Sequence, residues 1–393
     1  MKTVRDIPVL ENVPVLVRAS LNEPTVGSVV ADTFRLRRAV PTLRYLADRG
    51  ARVVVISHID PPQNRPAQGT ETLAPVATAL ARLTRGVSFF PETIGPRARA
   101  AVRDLAPGSI LVMENLRRDK GEKANDPAFA KELAALADVF VEDSFDTCHR
   151  MHASIVSVPT LLPSYAGLQL EAEIAALSGA RTPEAPSLAV VGGAKFSTKE
   201  SVLTTLIACY DRLFVGGALA NDFLVAAGHA MGDSLVSGAD PAHIAPLLAN
   251  PRLVLPTDVL VVPAAAATAA DARRRARVAR VGEVRPHETA LDHGPETSAR
   301  LAALARDSKT VLWNGPLGNY ENGFVDATES FARAVAGSGA RSVVGGGDTV
   351  AAIERLGLID RFSFVSTGGG AMLDFLTNGT LPGIAVLADQ ESA

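Results

Sequence analysis

Chemistry is concentrated where hydrophobic runs end in glycine. Arg341–Val344 runs into Gly345-Gly346-Gly347-Asp348-Thr349, and a helical pattern follows from Val350 to Leu356. Glycine lets the backbone approach an anion and adopt positive φ, and the free N–H groups opening the next helix favour negative charge. Asp348 adds a carboxylate of the kind that joins phosphate oxygens on magnesium. A second turn of the same type, Ser366-Thr367-Gly368-Gly369-Gly370, follows one strand-helix unit later. A single such turn also reads as a capped strand-to-helix connection; two in succession point to phosphate binding.

Other strand ends carry related chemistry. In the second half these are Gly192-Gly193-Ala194-Lys195, Gly216-Gly217 and Asn314-Gly315-Pro316, with Lys195 and Lys199 four apart so that both ammonium groups can face one ligand. In the first half they are Arg18, Ser20 and Asn22, then Ser57 and His58, then Glu114, Asn115, Arg117 and Arg118, then Asp143 to Arg150, with Arg35 and Arg37 opening a helix. Guanidinium groups pair with carboxylate or phosphate through two parallel hydrogen bonds. An arginine alone reads as a solvated surface group, but repetition at strand ends describes a site for a multiply anionic small molecule. No Walker A sequence and no G-x-G-x-x-G after the first strand occur, so neither the P-loop nor the dinucleotide fingerprint applies. An anion-binding half facing a nucleotide-phosphate half suits phosphoryl transfer.

These positions require elements that place strand ends together. Short β-branched runs, among them Val13–Val17, Arg52–Ile56, Ile110–Met113, Leu188–Val191, Val259–Val262 and Val311–Trp313, alternate with helical patterns such as Phe34–Asp48, Thr198–Tyr210 and Thr328–Ala336. This predicts an α/β fold with two parallel sheets, each carrying helices on both faces. At 393 residues, 47% hydrophobic, two domains are the natural division. The boundary is predicted near Gly167–Pro186, with residues 168–186 as a hinge helix and linker between the two halves. A net charge of −3 recruits neither nucleic acid nor membrane. The basic run Arg273–Arg280 lacks interleaved aromatics and reads as a surface segment. Cys148 and Cys209 are too few for a disulfide framework, and no apolar run reaches a membrane span, so a cytoplasmic location is expected.

Taken together, the motifs resemble those of the phosphoglycerate kinase family over essentially the whole chain. The resemblance rests on Pro41-Thr42-Leu43, Ser57-His58, Glu114-Asn115-Leu116-Arg117 and His149-Arg150-Met151-His152-Ala153-Ser154, and, further on, Gly192-Gly193-Ala194-Lys195, Leu255-Pro256-Thr257-Asp258, Trp313-Asn314-Gly315-Pro316 and the two triple-glycine turns. It implies two Rossmann-like three-layer domains, residues 1–167 holding the carboxylic substrate and 187–380 the nucleotide, and reversible transfer between MgATP/MgADP and 3-phosphoglycerate/1,3-bisphosphoglycerate by a monomer that closes about its hinge, with the tail 381–393 returning to the N-terminal domain. By the same resemblance Arg35, Lys195, Gly368, Gly369 and Gly370 would be catalytic, and Ser20, Asn22, His58, Arg117 and Arg150 would hold the carboxylic substrate. Gly193, Lys199, Gly217, Asn314, Glu321, Gly345, Gly346, Gly347, Asp348 and Thr349 would hold the nucleotide, with Asp348 also on Mg2+.

The substrate side departs from the family pattern. Ser20 stands where the family has an acid, Ser57-His58-Ile59-Asp60-Pro61-Pro62 where it reads Ser-His-Leu-Gly-Arg-Pro, Phe145-Asp146-Thr147 where it reads Phe-Gly-Thr, and Arg118 where an aromatic residue is usual. A phosphate-binding arginine is thereby absent, with Arg65 and Arg118 as possible replacements. Two alternatives therefore stand beside the primary reading: a paralogue phosphorylating a less anionic acid, and a nucleotide-binding pseudoenzyme. Departures in the nucleotide half, Phe196, Thr198 and Ala327-Thr328, leave the phosphate and metal positions intact.

Overall fold

The computed structural model describes residues 1–393 except 24, 27, 28, 31, 62–70 and 390–393. Pro62 and Arg65 therefore lie outside the described residues. The chain forms two compact units, Met1–Ala175 with Thr380–Ala393, and Ala176–Gly379. The division falls inside the helix Leu168–Arg181.

In the first unit six strands form one parallel sheet in the order Val87–Phe89, Ile110–Val112, Arg52–Ile56, Pro14–Ala19, Val139–Asp143, Ser164–Ala166. Its faces follow the two-residue period of a strand. Val15, Val17, Val53 and Val55 pack with Leu36, Leu43 and Leu80 on one side, whereas Leu16, Val54 and Ile56 pack with Phe129, Leu133 and Phe140 on the other. Helices thus cover both faces, and the sheet is apolar throughout, as a buried parallel sheet must be. Strand order turns about Pro14–Ala19, so the loops after Ala19, Ile56, Val112 and Asp143 open at one edge.

Asp143 ends one strand and starts the helix Leu168–Arg181: its Oδ1 accepts from the backbone N–H of Gln169 at 2.9 Å and Leu170 at 3.2 Å. Burial pushes its pKa up to about 7, against hydrogen bonds that lower it. The C-terminal helix Pro382–Asp389 belongs to this unit, with the Gly383 N–H donating to the Cys148 carbonyl at 2.9 Å and Ile384 and Leu387 buried.

The second unit repeats the plan, with strand order Leu253–Val254, Arg212–Val215, Ser187–Val191, Thr310–Asn314, Arg341–Gly345, Phe364–Val365. Asn314 lies in register with Val191 on one side and Gly345 on the other, so the glycine loops that follow emerge side by side. The strand anticipated at Val259–Val262 is present but not parallel. Asp258–Pro263 forms an antiparallel sheet with Arg277–Arg280 and Glu288–His293. No α-helical crossover joins these three strands, and without one neighbouring strands return antiparallel. The basic run contributes an edge strand here, with Arg273, Arg274, Arg275 and Arg280 exposed.

Among the described residues no single helix is long and apolar enough to cross a membrane.

Candidate functional site

Two sets of side chains collect at the strand ends, one within each unit. In the second unit a cavity of about 360 Å³ is lined by Gly193, Gly217, Leu224, Glu321 and Asp348, among others. Its walls depend on backbones packed closer than side chains allow. Gly192 and Gly315 abut so tightly that a Cβ on Gly315 would stand 2.5 Å from the Gly192 carbonyl oxygen. Gly217, at φ +66°, would place a Cβ 2.8 Å from the Gly193 oxygen, a conformation and a space that admit glycine.

The two triple-glycine turns also meet. A Cβ on Gly369 would lie 3.5 Å from the Gly346 Cα, and Asn314 Nδ2 donates to the Gly369 carbonyl at 3.5 Å. Each turn opens a helix, Gly347–Arg355 and Gly370–Asn378, and neither has a side-chain cap. The unpaired amides and dipole ends of two helices therefore share one corner of the unit, an anion-binding arrangement. The second helix begins at Gly370 because the Ser366 hydroxyl closes the preceding turn, accepting from the Gly368 N–H at 3.1 Å.

Asp348 is exposed at the first of these helix starts and lines the cavity. Thr349 is turned inward, fully buried, with a hydroxyl that has no partner among the described residues. Lys199 is half-buried beside Gly193, and burial lowers its pKa. Lys195 is exposed at the start of the short 3-10 turn Phe196–Thr198 and is not among the residues lining the cavity.

Asp292 and His293 are among the cavity residues not anticipated from the sequence. Asp292 is buried, its Oδ1 accepting from the His293 N–H at 3.0 Å and its Oδ2 from the Ala327 N–H at 3.2 Å, and burial raises its pKa to about 7. His293 is also buried, stacked edge-on against Phe214 at 5.6 Å, with neither ring nitrogen partnered among the described residues. Burial depresses its pKa to about 4, so the imidazole is neutral at physiological pH. Their signal was their place at the end of Glu288–His293, a strand whose sequence has no β-branched run.

In the first unit Asn22, His58 and Arg117 are brought together, but around a residue of the chain itself. Asp60 Oδ2 accepts from Asn22 Nδ2 at 3.0 Å, Oδ1 is ion-paired with Arg117, and Oδ2 lies 3.7 Å from His58 Nε2. Burial, with Arg18 and Arg117 adding to it, holds the His58 pKa well below its ordinary value. Arg117 is itself lowered to about 10 by burial and then by Arg18. Ser20 is buried, its hydroxyl without a partner among the described residues, whereas Arg150 is exposed.

Arg35, at the start of Phe34–Ala47, is anchored on Glu23. Its backbone N–H donates to Glu23 Oε1 at 2.5 Å, its Nη1 lies 3.3 Å from Glu23 Oε2, and the same nitrogen donates to the Asn22 carbonyl at 3.1 Å. Burial raises the Glu23 pKa to about 7 although Arg35 opposes it.

Two strand-end arginines serve structure instead. Arg18 is 1% exposed and donates to Ser154 Oγ at 3.1 Å and the Ala19 carbonyl at 2.9 Å, with His58 Nδ1 2.9 Å from its Nη2. It lies in register with Glu142, whose pKa burial raises well above the carboxylate range. Arg118 pairs with Glu114 Oε2 at 2.6 Å, and Glu114 in turn accepts from the Leu73 and Asn115 N–H groups at 3.0 and 2.7 Å. Arg118 thus pairs with an acid of its own loop.

The same architecture occurs in known structures. The chain superposes on phosphoglycerate kinase from Pyrococcus horikoshii OT3 with a TM-score of 0.88 at 27% identity, covering 100% of each chain. It superposes on that from Coxiella burnetii with a TM-score of 0.81 at 37% identity, covering 99% of each. Fold and site together define a phosphotransferase with a carboxyl group as acceptor. More particularly, the chain belongs to the phosphoglycerate kinase family, whose family model, "Phosphoglycerate kinase", matches residues 4–379. Among curated relatives, the phosphoglycerate kinases of Roseiflexus castenholzii and Rubrobacter xylanophilus are 45% and 44% identical, each alignment covering 99% of both chains.

Proposed function

We propose that the protein catalyses reversible phosphoryl transfer between MgATP and the carboxylate of 3-phosphoglycerate, as a monomer in the cytoplasm. Family membership supports the reaction, and one observation carries its assignment to these residues: two uncapped helix starts, at Gly347 and Gly370, meet beside a cavity that Asp348 also lines. Nothing in the comparisons favours a different acid or a pseudoenzyme.

In the forward direction a carboxylate oxygen of the acceptor attacks the γ-phosphorus in line. The bond from phosphorus to the β–γ bridging oxygen breaks, and ADP leaves with that electron pair, so no covalent enzyme intermediate and no obligatory proton transfer are needed. The chain's part is to position reactants and neutralise charge. Arg35 meets the migrating group from the acceptor side and Lys195 from the nucleotide side. Lys199 and the amides of Gly345–Thr349 hold nucleotide phosphates, Glu321 the ribose, and Gly368–Gly370 stabilise the transferring oxygens. Asn22, His58, Arg117 and Arg150, with Ser20 in the wall, hold the acceptor. The acceptor residues and the nucleotide residues are built within separate units, and exclusion of water during transfer protects the acyl phosphate from hydrolysis.

Magnesium fits the residues present. Among the described residues no group of three or more His, Cys, Asp or Glu could form an all-protein cage, and Asp348 is an exposed carboxylate at the phosphate corner. One carboxylate completed by phosphate oxygens and water is the usual coordination of nucleotide-bound magnesium, which supplies charge neutralisation. Asp348→Ala is therefore expected to raise the magnesium concentration needed for half-maximal rate by about 10-fold or more, the loss of one charge-assisted contact. An unchanged magnesium dependence would remove Asp348 from the metal.

A further inference from the structure

Two acceptor residues of the first unit, Asn22 and Arg117, are already partnered by a carboxylate of the chain, and a third, His58, stands beside it. Asp60 holds Asn22 from both sides: its backbone N–H donates to Asn22 Oδ1 at 2.9 Å, and its Oδ2 accepts from Asn22 Nδ2 at 3.0 Å. Its other oxygen is ion-paired with Arg117, and His58 Nε2 stands 3.7 Å away. Three loops that follow different strands, after Ala19, Ile56 and Val112, thus converge on one acid. Asn22, His58 and Arg117 are three of the residues the proposed reading gives to the acceptor.

The carboxylate is not locked in place. Its side chain is 45% exposed, whereas those of Arg117 and His58 are 16% and 3% exposed. The basic groups belong to the wall and the acid can leave it. Two anions drawing on one half-buried guanidinium repel each other, and Arg117 cannot saturate both. Arg118, the nearest alternative cation in sequence, is held by Glu114.

We infer that Asp60 is a specificity-determining residue: an internal carboxylate that occupies Asn22, His58 and Arg117 in the free enzyme and is displaced by the anionic end of the acceptor. It lowers affinity for acceptors in proportion to the negative charge they bring to these residues. The inference rests on the phosphoglycerate reading for the identity of the acceptor, but the occupied state is a property of the apo chain.

Binding and turnover test it separately. Calorimetric titration of the full chain with 3-phosphoglycerate, without nucleotide, is expected to give a Kd about 10-fold lower in Asp60→Asn than in wild type, the effect of removing one charge-assisted competitor. KM for 3-phosphoglycerate should fall by a similar factor, with kcat within about twofold and KM for MgATP unchanged. Asp60→Ser, which also removes the charge but is smaller, should behave alike and guards against a local folding defect in either variant. Unchanged or weaker 3-phosphoglycerate binding in both variants would overturn the inference. Tighter binding in both, with no acyl phosphate formed by any of the proteins, would uphold the role of Asp60 and instead remove the phosphoglycerate kinase reading.

Discussion

Arg35→Ala is expected to lower kcat for phosphoryl transfer by about 10²- to 10³-fold, the effect of deleting one preorganised donor to transition-state charge. KM for MgATP should change little, because the nucleotide residues are built within the other unit. The guanidinium is aimed by Glu23, which holds both the Arg35 backbone and its Nη1, while Nε is buried with no partner among the described residues. An arginine held on one edge and unsatisfied on another is prepared for an anion. Arg35→Lys keeps the charge but not the fork, and should recover only part of the rate.

The same substitution has a pH signature. The Glu23 pKa is raised by burial from 4.5 to about 7. Between those values the folded protein retains a proton that the unfolded chain has released, so this group's contribution to stability falls as pH rises through that window. Arg35 opposes the upward shift, and its loss extends the window upward. The stability difference between wild type and Arg35→Ala, measured by urea unfolding, should therefore be larger at pH 8 than at pH 5. A difference independent of pH would mean that Arg35 does not support the Glu23 carboxylate.

Gly217→Val is the second large effect, acting on the nucleotide cavity. Valine is strained at φ +66°, and its Cβ would meet the Gly193 oxygen at 2.8 Å, the Gly193 nitrogen at 3.0 Å and the Pro316 oxygen at 3.1 Å. All three are backbone atoms, so the Gly193 turn must move as a whole; the Leu219 N–H, which donates to the Gly193 carbonyl at 2.8 Å, moves with it. Strain and displacement together cost about 2–4 kcal/mol, or several degrees in Tm. KM for MgATP should rise by about 10-fold or more as the cavity wall shifts. Gly228→Ala is the control, since Gly228 also has positive φ, +88°, but no heavy atom lies within 4 Å of its Cβ position. It should lose about 1 kcal/mol and leave KM unchanged. An equal rise in KM for both variants would show that strain, not contact with the Gly193 turn, is responsible.

The parallel sheets were legible because their strands are continuous β-branched runs, such as Val53-Val54-Val55-Ile56, with helical patterns between them. Helix starts were less so. The periodic signal begins at Val350, yet the helix opens at Gly347, because glycine contributes no apolar side chain to the pattern while leaving its amide free for a ligand. Glu288–His293 escaped notice as a strand, and Asp292 and His293 with it. Arg18 reads in sequence as one more cation at a strand end; only its register beside Glu142, and the serines around it, show that it is buried structure. The Asp60 contacts join residues 38 and 57 positions apart. Comparison with the family pattern marked Asp60 as foreign to the pocket, but whether it faces solvent or the acceptor residues depends on three loops converging in space.

The central claim is tested most directly by incubating the protein with MgATP and 3-phosphoglycerate in the presence of hydroxylamine, which traps an acyl phosphate as its hydroxamate. Hydroxamate forming in step with ADP, saturably in both substrates, is the predicted result. Saturable MgATP binding with neither ADP release nor hydroxamate would contradict it.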